Sequence, residues 1–327
     1  MSNKYLIGFD IGGTKIGIGL GTIDGVIVQS DRLDNKNTDP AVILPRLAAI
    51  AKELMAKENI TGKDVLAFGI STPSPADIPN GIITTPPNNP YWRNVPIKSY
   101  LENALQIRGC FENDANCGAL AEWLFGAGKG CKDMIYLTMS TGIGAGIIAG
   151  GKLVQGKTFL AGEIGHSVLV PYGRQCNCGL KGCWEAYCGG RAIAQRMQEE
   201  LAGQTGHAML NYAKDGLLEN LDMLSLENAA RDGVGYAVKL WDEMCLRDAQ
   251  AFGMLMNIFN PEKIVLGTIA YAAGDFFMGP VKKYLPDFAW KETLEACQVV
   301  PSLLKRDIGS YAGLAGALYE LKQTGVL

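Results

Sequence analysis

Three cysteines, Cys176, Cys178 and Cys183, fall within eight positions of this chain, and one of its two histidines, His166, lies ten residues upstream. Thiols at that spacing can converge on one tetrahedral ion, with His166 as the fourth ligand. Cys188 follows Cys183 at the same interval that separates Cys183 from Cys178, and it is the rival for that fourth place. Four protein ligands would close the shell of a zinc ion and make it structural rather than a Lewis acid. Two glutamates, Glu163 and Glu185, flank the knot. An ionised carboxylate accepts hydrogen bonds and donates none, so two of them beside a rigid imidazole suit a polyol. One nitrogen of His166 would serve the metal and the other would face that ligand. The second histidine, His207, sits in a polar segment and reads as an ordinary surface residue.

Two further groups of residues suit the handling of phosphate. In Asp10-Ile11-Gly12-Gly13-Thr14-Lys15 a carboxylate ends a strand pattern and a glycine turn follows. Glycines let backbone N–H groups approach an anion, and Thr14 adds a hydroxyl donor. Asp10 suits a Mg²⁺ held through water, because that ion keeps most of its hydration shell. A plain hairpin turn would use the same glycines, but a second turn, Ser140-Thr141-Gly142-Ile143-Gly144, repeats the device. Two such turns facing across a cleft can clamp a triphosphate. No P-loop is present, and no G-x-G-x-x-G precedes a helix.

The run Glu112-Asn113-Asp114-Ala115-Asn116 follows an apolar strand and precedes a helical pattern that ends near Gly126. Asn113 or Asp114 would make a good helix N-cap. A cap accounts for one polar residue and not for the run. A carboxylate at a strand-to-helix junction can take the proton of a sugar hydroxyl, the general-base role in phosphoryl transfer to an alcohol.

The elements that have to position these groups follow from periodicity. Residues 4–9, 16–21 and 26–30 alternate as three short strands, an antiparallel meander. Residues 41–57 are an amphipathic helix with Pro45 in its first turns. Val65–Ile70 is a buried strand, and 71–96 is a connection with seven prolines, long enough to line a site. A helix at 97–105 and a strand at 107–112 follow. Ile135–Met139 and Ile147–Ala149 then restart the plan. A shift of 130 residues lays Asp10 over Ser140, Gly12 over Gly142 and Ile18 over Ile148, which implies two related domains. Helical pattern covers 190–258 with a polar break at 203–225, Ile264–Gly267 is a further strand, and 309–324 is a last helix.

Bulk properties exclude several classes. A chain of 327 residues with 48% hydrophobic content builds two sizeable cores. A net charge of -3 and a pI near 5.6 give no electrostatic reason to expect nucleic acid. No apolar run approaches the ~20 residues that span a bilayer, and no N-terminal targeting pattern precedes the first strand, so a cytoplasmic protein is expected. Nine cysteines without a secretory signal argue against a disulfide framework. Cys110, Cys117, Cys131, Cys188, Cys245 and Cys297 read mainly as small buried hydrophobes. The glycines of 8–25, 142–156 and 162–190 read as tight turns and close backbone approach to a ligand.

Together the Asp-Ile-Gly-Gly-Thr-Lys turn, Gly162-Glu163-Ile164-Gly165-His166 and Cys176-x-Cys178-Gly-x-x-Gly-Cys183-x-Glu185 resemble the ROK family of sugar kinases and repressors. The resemblance runs from Asp10 to the last helix. It implies an α/β fold of two actin-like (ribonuclease H-like) domains with a ligand cleft between them: 1–113 plus 310–327, and 114–309. It implies an ATP-dependent hexose kinase, most simply a glucokinase, using Mg²⁺ and a structural zinc and working as a homodimer. Carried over by position, Asp114 is the catalytic base, and Asn88, Asn113, Asp114, Glu163, His166 and Glu185 contact the sugar. Asp10, Gly12, Gly13, Thr14, Lys15, Thr141 and Gly142 serve the nucleotide and its metal. His166, Cys176, Cys178 and Cys183 hold the zinc. Fructose, mannose, allose, N-acetylglucosamine and N-acetylmannosamine kinases share these motifs. A sugar-responsive repressor of the family carries a winged helix-turn-helix ahead of the sugar domain, for which ten residues before Asp10 leave no room. Trp92 reads as a loop anchor rather than a stacking residue. Three features depart from the family's pattern: Ser74 stands for the glycine of a Pro-Gly-Pro turn, Gly267-Thr268-Ile269-Ala270 is poor in glycine on the adenine side, and the region 203–258 is long.

Overall fold

A computed structural model describes residues 4–35, 38–85 and 91–327. Contacts divide the chain into two units, Met1–Gly130 with Leu303–Leu327, and Cys131–Ser302.

In the first unit β1 (Tyr5–Ile11), β2 (Lys15–Thr22) and β3 (Ile27–Asp34) form the expected antiparallel meander. The helix α1 (Pro40–Lys57) starts where Asp39 accepts a hydrogen bond from the Ala41 N–H at 2.8 Å and Pro40 takes the first position. It buries Ile43, Leu47, Ala51 and Leu54 at helical spacing. The strand β4 (Val65–Thr72) pairs parallel to β1. A two-strand ribbon, β5 (Ala76–Asp77) with β6 (Ile82–Ile83), rises from the proline-rich connection. The helix α2 (Ile97–Leu105) leads to β7 (Gly109–Asn113), parallel to β4, and then directly to α3 (Asp114–Phe125).

The second unit holds β8 (Met134–Met139), β9 (Ile143–Ala149) and β10 (Lys152–Leu153), again antiparallel. Four helices follow: α4 (Glu185–Cys188), α5 (Gly190–Glu200), α6 (Met223–Arg231) and the long α7 (Gly235–Phe259). The polar stretch between α5 and α6 forms single 3₁₀ turns. Then come β11 (Lys263–Leu266), α8 (Thr268–Ala273), α9 (Asp275–Tyr284), α10 (Lys291–Ala296) and β12 (Gln298–Pro301). The last helix, α11 (Ile308–Gln323), returns to the first unit.

The sheet orders are β3-β2-β1-β4-β7 and β10-β9-β8-β11-β12, with the same antiparallel and parallel neighbours in each. The internal repeat is therefore real, but its phase differs from the expected one. Strand ends lie 128 residues apart (Ile11 to Met139, 139 − 11; Lys15 to Ile143, 143 − 15) rather than 130. Matching glycines had set the shift, whereas backbone pairing sets the true register, and β9 starts at Ile143 and not at Ile147.

The domain boundary also moves. The expected break at 113/114 would place α3 in the second unit, yet α3 packs along α11, with Trp123 edge-on to Tyr319 at 6.2 Å and Phe125 against Tyr311 at 5.8 Å. Several glycines of the first cluster serve packing rather than a ligand. Gly8 of β1 and Gly69 of β4 lie against Gly313 of α11, and a methyl group on any of the three would overlap backbone atoms of its neighbour. Backbone cannot retreat as a side-chain tip can, so Gly69→Ala is expected to cost about 3 kcal/mol. Urea denaturation checks this, and an unchanged midpoint would mean that α11 lifts off the sheet freely. No helix among the described residues is long and apolar enough to cross a membrane.

Candidate functional site

In the first unit the polar groups gather at the C-terminal ends of β1, β4 and β7. Asp10 accepts a hydrogen bond from the Ser71 hydroxyl at 3.1 Å, linking β1 to β4. Burial pushes its carboxyl up to about 6, although the Ser71 hydrogen bond and the Arg32 charge pull the other way. A desolvated carboxylate in such a setting fits a hydrated divalent cation, which would bring the opposing charge. A side chain at Gly309 would overlap this carboxylate, so that position leaves it room. The Gly12–Thr14 turn closes through Gly12 N–H to the Lys15 carbonyl at 3.0 Å. Buried Asn35 braces it, donating its side-chain amide to the Gly12 carbonyl at 2.8 Å and its backbone N–H to Thr14 at 2.8 Å. Gly13, Thr14 and Lys15 remain half-exposed or exposed on the turn.

The Glu112–Asn116 run divides its labour. Glu112 is buried and accepts from the Asn113 N–H at 2.8 Å and the Asn116 amide at 3.0 Å. Asn113 caps α3, its Oδ1 accepting from the N–H groups of Ala115 at 2.9 Å and Asn116 at 3.3 Å. Its Nδ2 donates to Ser74 Oγ at 2.9 Å. Asp114, the first residue of α3, is exposed, and its Oδ1 accepts from the Ala115 N–H at 2.8 Å. Trp92 is wholly buried with its indole N–H on the Thr38 carbonyl at 3.1 Å, an anchor as expected. Asn88, expected at the sugar, lies outside the described residues.

In the second unit the expected zinc ligands come together. His166 Nδ1 lies 3.7 Å from Cys176 Sγ, Cys178 Sγ lies 3.6 Å from Cys183 Sγ, and all four donor atoms fall within 4.8 Å of one another. Zn–S bonds of about 2.3 Å in a tetrahedron give edges of about 3.8 Å, so the donor set fits zinc. The metal nitrogen is Nδ1, which leaves Nε2 for another partner. The rival ligand is excluded: Cys188 is buried with its thiol on the Met244 carbonyl of α7 at 3.5 Å. Local backbone explains the knot. Cys176 N–H bonds to Leu180 O at 2.8 Å and Gly179 N–H to Cys176 O at 3.0 Å, closing a tight loop. Gly182 has φ of 86°, and a side chain there would overlap the Val170 carbonyl.

Glu163 precedes the 3₁₀ turn Ile164–His166, is exposed, and has no side-chain hydrogen bond among the described residues. Gly165 lets that turn lie on β9, where a side chain would overlap the Ile143 carbonyl. Glu185 is placed differently from the expectation of a pure sugar contact. Its Oε2 accepts from Ile143 N–H at 2.8 Å and fills the space a side chain at Gly142 would need. The glutamate therefore ties the knot to the second glycine turn. Thr141, Gly142, Cys176, Asn177, Glu185 and Arg191 line one cavity of this unit.

Sequence reasoning missed the braces. Asp248, buried in the middle of α7, accepts from the Trp184 indole N–H at 2.7 Å and so fixes the residue between Cys183 and Glu185. Arg191, whose N–H bonds to Thr141 O at 3.0 Å, was passed over as one charge in a helix. Asn35 and Ser71 carried no local motif. His207 is more than a surface residue: its Nδ1 accepts from Met209 N–H at 3.2 Å and its ring meets Tyr236 edge-on at 5.6 Å.

Comparison with known proteins accords with this arrangement. The ROK family model matches residues 6–324. The glucokinase of Thermotoga maritima is 34% identical over 325 residues, covering 99% of each chain. The ROK hexokinase of Thermus thermophilus superposes with a TM-score of 0.84 at 28% identity, over 98% of this chain and 99% of that one. A ROK family glucokinase from Streptomyces griseus, solved with glucose and AMPPNP, superposes with a TM-score of 0.73 at 31% identity, over 98% and 99%.

Proposed function

The chain belongs to the ROK family, and we propose from that premise that it is an ATP-dependent hexose kinase converting glucose to glucose 6-phosphate. Similarity to glucokinases along the whole chain carries the reading. The residues supply a mechanism. Asp114, exposed on the first turn of α3, takes the proton of the 6-hydroxyl as its oxygen attacks the γ-phosphorus and the bond to the β-phosphate oxygen breaks, releasing ADP. Glu163 and the Nε2 edge of His166 hold sugar hydroxyls, and Glu185 adds its free oxygen while its other oxygen holds the Thr141–Ile143 turn. The Gly12–Thr14 and Thr141–Gly142 turns offer backbone N–H groups to phosphate oxygens, with Lys15 adding charge. Asp114 lies in the first unit and Glu163, His166 and Glu185 in the second, so the reading requires one hexose to take contacts from both.

A Mg²⁺ ion beside Asp10 would neutralise the charge that builds on the transferring phosphoryl group. The carboxyl titrates near 6, so it loses its charge as pH falls through that value. Mg²⁺-dependent nucleotide affinity is therefore expected to be level above about pH 7 and to fall towards tenfold per unit below about pH 6. Titration calorimetry between pH 5 and pH 8 checks this; an equal dependence in Asp10→Asn would remove Asp10 from the site.

The reaction itself is tested by ADP release with glucose, fructose, mannose, allose, N-acetylglucosamine and N-acetylmannosamine. Glucose is expected to give the highest kcat/KM. Binding of a hexose without turnover of any would defeat the kinase reading.

A further inference from the structure

We infer that Ser74 is a specificity-determining residue that donates its hydroxyl proton to one hydroxyl of the hexose; the inference rests on the kinase reading above. It follows from counting donors and acceptors. Asn113 Oδ1 receives two backbone N–H groups, from Ala115 and Asn116, and an N–H can only donate. The orientation of the Asn113 amide is therefore fixed, with its NH₂ towards Ser74. An amide NH₂ accepts nothing, so Ser74 Oγ is the acceptor in the 2.9 Å contact and its own proton points elsewhere. Among the described residues no acceptor takes that proton. Ser74 is half-buried, in the turn after β4, where a solvating shell is only partial.

Next along the chain from Asn113 stands Asp114 with its carboxylate. The group thus offers one acceptor, Asp114, beside two directed donors, Ser74 Oγ–H and the second N–H of Asn113. The carbonyl of Asn113 is spent on the helix and cannot receive a sugar proton. A ligand hydroxyl at this edge is recognised as an acceptor, whereas the hydroxyl at Asp114 is recognised as a donor. That polarity separates a hexose with its full set of hydroxyls from one lacking the group that Ser74 reads, because a half-buried donor left unpaired is penalised.

The test is a cycle between residue and substrate hydroxyl. kcat/KM is measured for the wild-type enzyme, Ser74→Ala and Ser74→Thr with the preferred hexose and each of its singly deoxygenated derivatives. Ser74→Ala is expected to lose roughly tenfold on the full hexose and on all derivatives but one. On that one derivative the wild type and Ser74→Ala agree within about twofold, because the partner is already gone. Ser74→Thr keeps the hydroxyl and should keep the wild-type pattern. An equal loss on every derivative would make Ser74 a mere support for Asn113 and overturn the inference while leaving the kinase reading intact. A wild-type enzyme that turns over no hexose would overturn the kinase reading and this inference with it.

Discussion

Asp114→Asn is expected to fold, to bind hexose with an affinity within about threefold of the wild type, and to lose roughly a thousandfold in kcat. The substitution keeps the oxygen that accepts from the Ala115 N–H at 2.8 Å, so the first turn of α3 stays closed. It removes a negative charge from a helix N-terminus, which costs at most about 1 kcal/mol of stability. Such a loss cannot produce a thousandfold drop in turnover, which corresponds to about 4 kcal/mol. The effect would therefore report the proton acceptor. The helix terminus holds Asp114 ionised and weakly basic, which suffices where phosphoryl transfer is loose and the proton leaves late. Steady-state kinetics with a thermal melt alongside decide the matter. Turnover within a few fold of wild type would end the base assignment.

Removal of zinc, by chelation or by Cys178→Ala, is the second large effect. Cys178 is the exposed thiol of the four, so its replacement disturbs little packing beyond the metal. The loop it releases carries His166 at one end and leads into Trp184 and Glu185 at the other. Two hydrogen bonds to charged groups lost from a sugar, at about 1.5–3 kcal/mol each, raise the hexose KM by roughly 100-fold or more. Nucleotide affinity should weaken less, because Trp184 stays held by Asp248 at 2.7 Å and keeps Glu185 close to the Ile143 N–H. Metal content, hexose KM and nucleotide KM measured on one preparation test the order of these losses. Full loss of zinc with fold and hexose KM preserved would reduce the knot to a local staple.

Much of this was legible from residue types alone. The meander, the helix at 97–105, the strand-to-helix junction at Asn113–Asp114 and the metal knot all depend on neighbours within about ten positions, and local patterning carries that information. Even the internal repeat showed, since two copies of one topology leave similar spacings. Its phase, and the unit to which α3 belongs, did not show, because strand pairing and the α3–α11 contact join segments far apart in the chain.

The same distinction applies inside the site. Spacing left His166 and Cys188 as equal claimants for the fourth metal position, and only the fold, by burying Cys188 against α7, decided between them. Ser74 looked like a departure from a glycine turn until it was found on Asn113, 39 residues away. Ser71 meets Asp10 across 61 residues, and Trp184 meets Asp248 across 64. A hydrogen bond needs two groups about 3 Å apart and correctly aimed, a condition on space that no one-dimensional pattern encodes. The chain by itself determined which chemical groups are present and which neighbours share a turn. The tertiary structure decided which of them are spent on one another and which are left to meet a ligand.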